Sequence, residues 1–249
     1  MNIEENLNEY HDSYNSDNKF FDENHYFIGH FAKKLCNEIR ENSYRSVLSL
    51  GIGHQVVNSG IRKEFEFSLQ SHTILEGSLS IIKELSDKIS DQKGNVELVH
   101  TYFEDYDTDK QFDLIEMGFV LEHVEDPYFI LEKYSHFLKP GGTIFIAVPN
   151  AKSLHRMIGY EAGLLDNLYK LSEYDIKFGH KRYFDLDSIS DVVSKAGFKI
   201  NKSSGLMLKP ITTGQMAVLG WTDNIYNALL KLGDNYPEIA NCILIEATI

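Results

Sequence analysis

At residues 46–53 the sequence reads SVLSLGIG, an apolar run that leads directly into a loop with two glycines, Gly51 and Gly53. The run Ser46 to Leu50 predicts a buried strand, and the segment Val56 to Arg62 after the loop predicts a helix. A glycine loop between a strand and a helix lets the backbone approach a ligand closely and directs helix N–H groups towards it. This order therefore predicts a ligand site at the end of the first strand.

Strand and helix patterns alternate along the rest of the chain, which predicts right-handed crossovers and a parallel sheet. The alternation stops between Pro149 and Phe184, where the sequence predicts a helical insertion. The expected class is α/β, with a mostly parallel seven-stranded sheet, helices on both faces and the insertion after strand five. Strands are predicted at 46–50, 72–76, 95–100, 112–118, 143–148, from 197 and at 242–248, and helices at 27–39, 56–62, 79–89, from 127, at 152–158 and at 186–196.

The composition is that of a soluble globular protein, with 43% hydrophobic and 24% charged residues in a chain of 249. We expect a single domain over 1–249, with an N-terminal arm or lid at 1–26 and a substrate-side insertion at 150–185. Lys and Arg number 24 against 37 Asp and Glu, which gives a net charge of -13. Because this negative field repels phosphate backbones, a nucleic-acid partner is not expected.

The sequence shows no signal peptide and no run of roughly 18 apolar residues, so no membrane partner is expected. The only cysteines, Cys36 and Cys242, lie far apart and form no CxxC pair. A disulfide framework and a zinc site are therefore not expected, and no metal ligands are assigned. These features favour a cytoplasmic protein. The sequence leaves a monomer and a homodimer equally open.

The glycine loop departs from the dinucleotide fingerprint, because Val56 stands where that pattern needs its third glycine. Glu76 ends the predicted second strand about 20 residues further on, where a carboxylate accepts hydrogen bonds from ribose hydroxyls in sites of this type. A solvated carboxylate at a strand end is the alternative interpretation. A nicotinamide-dependent dehydrogenase or epimerase would share these features, but the chain lacks the Tyr-x-x-x-Lys pair expected after the fourth strand.

From about Phe27 to its C-terminus the chain resembles the class I S-adenosylmethionine-dependent methyltransferases. The resemblance implies a Rossmann-like sheet, methyl transfer as the activity and S-adenosyl-L-methionine as the cofactor, with S-adenosyl-L-homocysteine as its product. Two residues depart from the family's first motif: Ser49 replaces an acidic residue and Gln55 replaces a glycine. The matching stretches, in the family's order, are LSLGIGH at 48–54, Glu76, FED at 103–105, MGFVLEHV at 117–124, LKPGG at 138–142 and VPN at 148–150.

The same resemblance implies which residues bind the cofactor. It assigns His123 to support of the cofactor rather than to chemistry. The aromatic N-terminal arm, with Tyr10, His11 and Tyr14, either forms a lid over the methionine end or simply packs. The implied cofactor-binding residues are Tyr14, Leu50, Gly51, Gly53, His54, Gln55, Glu76, Gly77, Ser78, Phe103, Glu104, Asp105, Met117, Gly118 and His123.

Two segments after the predicted fifth strand each pair a histidine with an arginine. Loops at the carboxyl ends of the strands face the ligand in open α/β sheets, so these segments predict the acceptor side of the site. A histidine can remove the proton of a nucleophile, and an arginine can clamp a carboxylate or phosphate with two bonds. The alternative for the His155–Arg156 segment is a helix face with ordinary surface charge. The alternative for His180 is a purely structural histidine. The candidate catalytic residues are His155 and Arg156 in one segment and His180, Arg182 and Tyr183 in the other.

A weaker resemblance, carried by VPNAKSLHR at 148–156, GHKRYF at 179–184 and GLMLKP at 205–210, is to methyltransferases of bacterial surface-polysaccharide (capsule) pathways. It implies an anionic small-molecule substrate such as a sugar, a nucleotide-sugar or a phosphorylated intermediate, with Lys209 available for the anion. It leaves open whether oxygen or nitrogen is methylated. A non-catalytic protein that binds the cofactor is a further alternative, for which Ser49 is the only indication.

Overall fold

The structure is a computed structural model that describes residues 21–53, 55–89 and 95–249, with side chains described from residue 25 onward. None of the helices within these ranges combines the length and the apolar character that crossing a bilayer requires. The strands are β1 Ser46–Leu50, β2 Ser71–Glu76, β3 Val96–His100, β4 Phe112–Gly118, β5 Leu138–Pro149, β6 Lys199–Gly205 and β7 Cys242–Thr248. The helices are α1 Phe21–Glu41, α2 Val56–Phe65, α3 Leu79–Ile89, α4 Pro127–Ser135, α5 Leu154–Glu161, α6 Glu173–Lys177, α7 Leu186–Lys195, α8 Thr213–Val218 and α9 Asp223–Asn235.

The strands form one seven-stranded sheet in the order β3-β2-β1-β4-β5-β7-β6. Strands β1 to β5 run parallel, and β7 is antiparallel to both β5 and β6. The predicted mostly parallel α/β sheet is therefore confirmed. The chain order reverses between β1 and β4, which opens a crevice at the carboxyl ends of these two strands. The glycine loop after β1 lies at this crevice.

Helices cover both faces of the sheet, as predicted. On one face α1 buries Phe27, Phe31, Leu35 and Ile39, the four-residue repeat seen in the sequence. On the other face α4 buries Ile130 and Tyr134 in a cluster with residues of β1 and β4. Strand β1 is buried along its whole length, as expected for a strand covered on both faces.

Several boundaries differ from the predicted ones because contacts distant in sequence decide them. Strand β5 begins at Leu138 rather than at residue 143, since Leu138 pairs with Phe112 before the register shifts. Helix α4 ends at Ser135, before the KPGG turn, although Phe137 is still buried. Helices α6, α8 and α9 were not predicted. Each begins after Ser or Thr, and Ser172 and Thr212 accept capping hydrogen bonds.

Candidate cofactor and acceptor site

The loop after β1 takes backbone conformations that suit glycine. Gly51 has φ of 84° and Gly53 has φ of 51°, both in the left-handed region. A Cβ on Gly51 would lie 3.9 Å from the ring of Phe103, so the loop passes close to the 103–105 segment. The Gly51 N–H donates to the carbonyl of Leu75 at 2.8 Å, which ties the loop to the end of β2.

Gln55, the departure from the family's first motif, is also left-handed, with φ of 61°. This conformation is unfavourable for a residue with a side chain and explains why glycine is usual there. The Gln55 amide donates to Glu84 at 3.1 Å and accepts from Lys88 at 3.0 Å. Its side chain therefore reaches towards α3, where these two bonds hold the N-terminus of α2 in place.

Glu76 connects the end of β2 to the glycine loop. Its side chain is buried, and its two carboxylate oxygens accept the N–H groups of Ile52 at 3.1 Å and of Ser78 at 2.9 Å. Burial raises the pKa of Glu76, and the backbone hydrogen bonds oppose that rise. The N–H of Gly77 also hydrogen-bonds to this carboxylate, which leaves about one of its four acceptor sites for a hydroxyl donor. This arrangement fits a ribose beside Gly51 and Gly53.

The neighbouring loops are fixed by backbone contacts. The carbonyl of Gly77 lies 3.0 Å from His100 Nε2, and Ser78 Oγ accepts the Ile81 N–H at 3.4 Å at the start of α3. The 103–105 segment is tied to α4, because the carbonyl of Phe103 accepts from the Tyr134 hydroxyl at 3.1 Å and that of Glu104 from Lys133 at 2.6 Å. The side chains of Glu104 and Asp105 are exposed beyond these anchors.

The carboxyl end of β4 is crowded. Met117 is fully buried, and a Cβ on Gly118 would lie 2.5 Å from the ring of Phe31 and 2.7 Å from Glu116 Oε1. Phe119 follows with φ of 61°, which is a strained conformation for a bulky residue. Its N–H donates to the carbonyl of Ala147 at 2.8 Å. Such strain is common at functional sites, and no feature of the sequence predicted it here.

Ser49, which stands where the family has an acidic residue, lies beside a carboxyl group of the neighbouring strand. Ser49 pairs in register with Glu116 of β4. Its hydroxyl lies 3.0 Å from His72 Nε2 and also forms a hydrogen bond with the Glu116 carboxyl. Burial raises the pKa of Glu116 to about 8 and lowers that of His72 to about 3. Both groups are therefore uncharged near neutral pH, a network that sequence reasoning missed.

The loop after β4 brings Glu122 and His123 next to His180. The rings of the two histidines lie with centroids 4.7 Å apart and planes at 86°. The Glu122 side chain is fully buried, and its carboxylate has no hydrogen-bond partner in any other described residue, only its own backbone N–H. Burial raises the pKa of Glu122 to about 7, against the opposing influence of His180. From the sequence, Glu122 belonged to the fourth-strand motif but had no assigned role at the site, unlike His123 and His180.

The two histidines have different electrostatic surroundings. Burial lowers the pKa of His123 to about 3, although the backbone of Gly179 and Phe178 hydrogen-bonds to it and opposes this shift. Burial also lowers the pKa of His180, but Asp175 and Glu122 more than offset it, so this pKa lies above its ordinary value. His180 Nδ1 lies 3.4 Å from Asp175 Oδ1.

Arg182 and Arg156 donate to backbone carbonyls. Arg182 bonds the carbonyls of Leu121 at 3.1 Å, Val124 at 2.5 Å and Glu125 at 3.0 Å, and so fixes the loop that carries Glu122 and His123. The Arg156 guanidinium donates to the carbonyls of residues 168 and 170. These contacts show both arginines as braces of loops, and their predicted role as anion clamps stays a prediction.

The remaining candidate site residues, Tyr183 and His155, lie close to Arg156. The Arg156 guanidinium carbon lies 4.1 Å from the ring centroid of Tyr183, and the Tyr183 hydroxyl donates to Asp175 at 3.1 Å. Burial lowers the pKa of His155 to about 3, and Lys209 and Arg156 lower it further. A base with so low a pKa is weak near neutral pH. The predicted contacts of His54 and Tyr14 lie outside the described residues.

Comparison with known proteins assigns the chain to a family. Residues 24–203 match the family model described as a methyltransferase domain. The ubiquinone biosynthesis O-methyltransferase of Marinobacter nauticus is 30% identical over 105 residues, which cover 41% of this chain and 42% of that protein. The chain spans about half the length of the curated relatives it matches.

Two solved structures have the same fold. An S-adenosylmethionine-dependent methyltransferase from Mesorhizobium loti superposes with a TM-score of 0.57 at 14% identity, over 82% of this chain and 90% of that one. The N-methyltransferase NodS of Bradyrhizobium japonicum, solved with S-adenosyl-L-homocysteine, superposes with a TM-score of 0.56 at 12% identity over 97% of each chain. The sheet order and the glycine loop define the class I, Rossmann-like architecture. The chain belongs to the methyltransferase-domain family.

Proposed function

We propose that this protein transfers the methyl group of S-adenosylmethionine to an oxygen or nitrogen atom of a small polar molecule. The observation that carries the proposal is the placement of Glu76, which joins the glycine loop at the crevice between β1 and β4. Membership of the methyltransferase-domain family supports the same activity. A Rossmann-like fold alone would not establish methyl transfer as the activity, since such folds host many reactions.

The residues at the crevice suit the two parts of the cofactor. The remaining acceptor site of Glu76 suits a ribose hydroxyl, and the ring of Phe103 suits the adenine. The end of β4 at Gly118 suits the methionine moiety. When bound, S-adenosylmethionine supplies a methyl group on a positively charged sulfur. Methyl transfer is an in-line displacement, so the protein contributes chiefly by aligning the acceptor with that methyl group.

On the acceptor side the proposal centres on His180. Its ring faces Glu122 and His123, and Asp175 lies 3.4 Å from its Nδ1. An imidazole held in this way is suited to remove the acceptor's proton or to bind a metal ion that makes the acceptor more acidic. Lys209, whose charge acts on the neighbouring His155, supplies positive charge for an anionic group.

The acceptor that we propose is an anionic sugar, nucleotide-sugar or phosphorylated intermediate of surface-polysaccharide biosynthesis. The positive charge of Lys209 supports an anion, and the resemblance of GHKRYF at 179–184 supports the pathway class. We place the reaction in the cytoplasm, a reducing compartment in which Cys36 and Cys242 stay as buried thiols that form no disulfide with each other.

The test is a methyl-transfer assay with radiolabelled S-adenosylmethionine and a panel of sugars, nucleotide-sugars, sugar phosphates, hydroxylated aromatics and amines. The expected result is label in one class of acceptor, with formation of S-adenosylhomocysteine in equal amount. The Glu76→Gln variant should show a large loss of this activity, whereas Glu97→Gln, which changes a half-exposed carboxylate on β3, should not. Failure of S-adenosylmethionine and S-adenosylhomocysteine to bind would overturn the proposal. Label in aromatics or amines alone would overturn the sugar assignment.

A further inference from the structure

We propose that Glu122, His123 and His180 bind a divalent transition-metal ion beside the methyl acceptor. One ligand atom from each of the three side chains lies within 4.8 Å of the others. Imidazole nitrogens and a carboxylate oxygen are common ligands of zinc, iron, manganese and nickel, with bonds of about 2.0–2.2 Å to zinc. Atoms bound to one ion at that length lie about 3–4.4 Å apart, so small side-chain rotations suffice.

Glu122 is the strongest indication of a bound cation. Its side chain is fully buried, yet the carboxylate receives no hydrogen bond from any other residue that the structure describes, only from its own backbone N–H. An unpaired buried carboxylate is costly, and proteins generally pair such a group with a cation or hydrogen-bond it. Arg182 does not fill this role directly, because its donors bond the carbonyls of Leu121, Val124 and Glu125. A metal ion supplies the missing charge.

The surroundings of both histidines also suit metal ligands. A histidine that binds a metal almost always donates its other ring N–H to a carboxylate, a carbonyl or water. His180 has a carboxylate beside it, since Asp175 Oδ1 lies 3.4 Å from its Nδ1, within ion-pair distance. His123 hydrogen-bonds the backbone of Gly179 and Phe178. Each imidazole therefore has a neighbour of the kind that accompanies a metal ligand.

The position of the site suggests its use. Glu122 and His123 follow β4 at the carboxyl edge of the sheet, where Glu76 and Gly51 also lie. Three protein ligands leave coordination positions free for an acceptor oxygen. This inference rests on the proposed function and narrows its acceptor to a hydroxyl compound that can bind the ion.

The chemical step balances without any further reagent. An acceptor hydroxyl bound to the ion becomes more acidic and releases its proton to solvent. The oxygen's electron pair then forms the new O–C bond, while the S–C bond breaks with its pair remaining on sulfur. The products are the methyl ether and neutral S-adenosylhomocysteine. In this scheme His180 is a metal ligand, and the ion takes over the activation of the acceptor.

The experiment is a titration of the full chain with Co²⁺ alone, followed by visible absorption and by calorimetry. We expect one ion per chain, with the absorption of nitrogen-bound cobalt, and competition by Zn²⁺. Glu122→Gln and His180→Ala should each weaken binding at least tenfold. Asp175→Asn should weaken it about 10- to 100-fold, the usual effect of an outer partner of a metal ligand. His136→Ala, which changes an exposed histidine at the end of α4, should bind like the wild type.

The glutamine variant also separates a metal site from a structural carboxylate. Glu122→Gln keeps the shape and removes a buried charge, so the metal-free variant should melt at the same temperature as the metal-free wild type or higher. Added Zn²⁺ should raise the melting temperature of the wild type but not of the variant. Absence of stoichiometric cobalt binding, or binding unchanged in Glu122→Gln and His180→Ala, would overturn the inference. Because the titration needs no cofactor, failure of the proposed function would appear separately, as absence of S-adenosylhomocysteine binding.

Discussion

Glu76 accepts the backbone N–H of Ile52 at 3.1 Å, so the carboxylate that ends β2 fixes the glycine loop that follows β1. The same side chain accepts the Ser78 N–H at 2.9 Å, at the start of α3. One buried carboxylate thus organises two loops on the same edge of the sheet. It also keeps an acceptor site for a ligand between them, which links the local geometry to cofactor binding.

Glu76→Gln should weaken binding of S-adenosylhomocysteine about 10- to 100-fold, because hydrogen bonds to a charged group contribute about 1.5–3 kcal/mol. In addition, the NH₂ group of the glutamine would face a backbone N–H that the glutamate carboxylate accepts, so one hydrogen bond to the loops would be lost. Calorimetric titration measures the change. Glu97→Gln is the matched control, since its carboxylate lies on β3 and pairs with Lys110. Equal affinity in wild type and Glu76→Gln would remove Glu76 from the cofactor site.

Glu116→Gln should change how stability depends on pH. Burial raises the pKa of Glu116 from 4.5 to about 8, so between these values the folded state holds a proton that the unfolded state has lost. This contribution is fully present below pH 4.5 and is lost as pH rises towards 8, with a slope approaching about 1.4 kcal/mol per pH unit. The wild-type free energy of unfolding, minus that of the variant, should fall across this range.

Urea unfolding at a series of pH values measures that difference. The exposed carboxylate of Glu41 provides the control, because Glu41→Gln should give a difference that does not change across the same range. A flat difference for Glu116→Gln would mean that the Glu116 carboxyl is already ionised near neutral pH. The hydrogen-bonded network with Ser49 and His72 would then need a different proton arrangement.

Arg182→Lys should destabilise the loop that carries Glu122 and His123. A lysine ammonium does not reproduce the fork that reaches the carbonyls of Leu121, Val124 and Glu125 together. The expected loss is about 1–3 kcal/mol in the free energy of unfolding, with lower methyl-transfer activity. Arg45→Lys, at an exposed arginine before β1, should leave both unchanged. Wild-type stability in Arg182→Lys would show that the three carbonyl bonds do not hold the loop.

Gly118→Ala should lower stability because the end of β4 has no room for a side chain. The added Cβ would meet the ring of Phe31 at 2.5 Å and Glu116 Oε1 at 2.7 Å. Overpacking of this kind costs about 1–3 kcal/mol, which a thermal melt detects. Gly214→Ala in α8 is the control, since nothing lies within 4 Å of its Cβ position. A melting temperature equal to that of Gly214→Ala would contradict the close packing at Gly118.

The sequence predicted the secondary-structure elements whose bounds are marked by short local sequence patterns. Strands β1 and β4 and helix α3 have the predicted bounds, because short apolar runs, capping residues and glycine turns mark them. Glu76 was predicted from its position after β2, and the structure brings it to the glycine loop. These features are set by residues close together in the sequence and by the repeated order of strand and helix.

The features that the sequence did not predict depend on partners far along the chain. Ser49 and Glu116 meet only because β1 and β4 are neighbours in the sheet, and Glu122 meets His180 only through the insertion after β5. The left-handed Phe119 packs its ring against Phe27 and Phe31 of α1, a contact that no local pattern indicates. Strand pairing across the sheet and burial therefore determine these contacts, which local sequence patterns do not predict.

The most direct test of the central claim is a calorimetric titration of the wild-type chain with S-adenosylhomocysteine and, separately, with NAD. A site built from Glu76 and the loop at Gly51 and Gly53, without a third glycine for a pyrophosphate, should bind S-adenosylhomocysteine at one molecule per chain and should not bind NAD. Binding of NAD with no binding of S-adenosylhomocysteine would contradict the account.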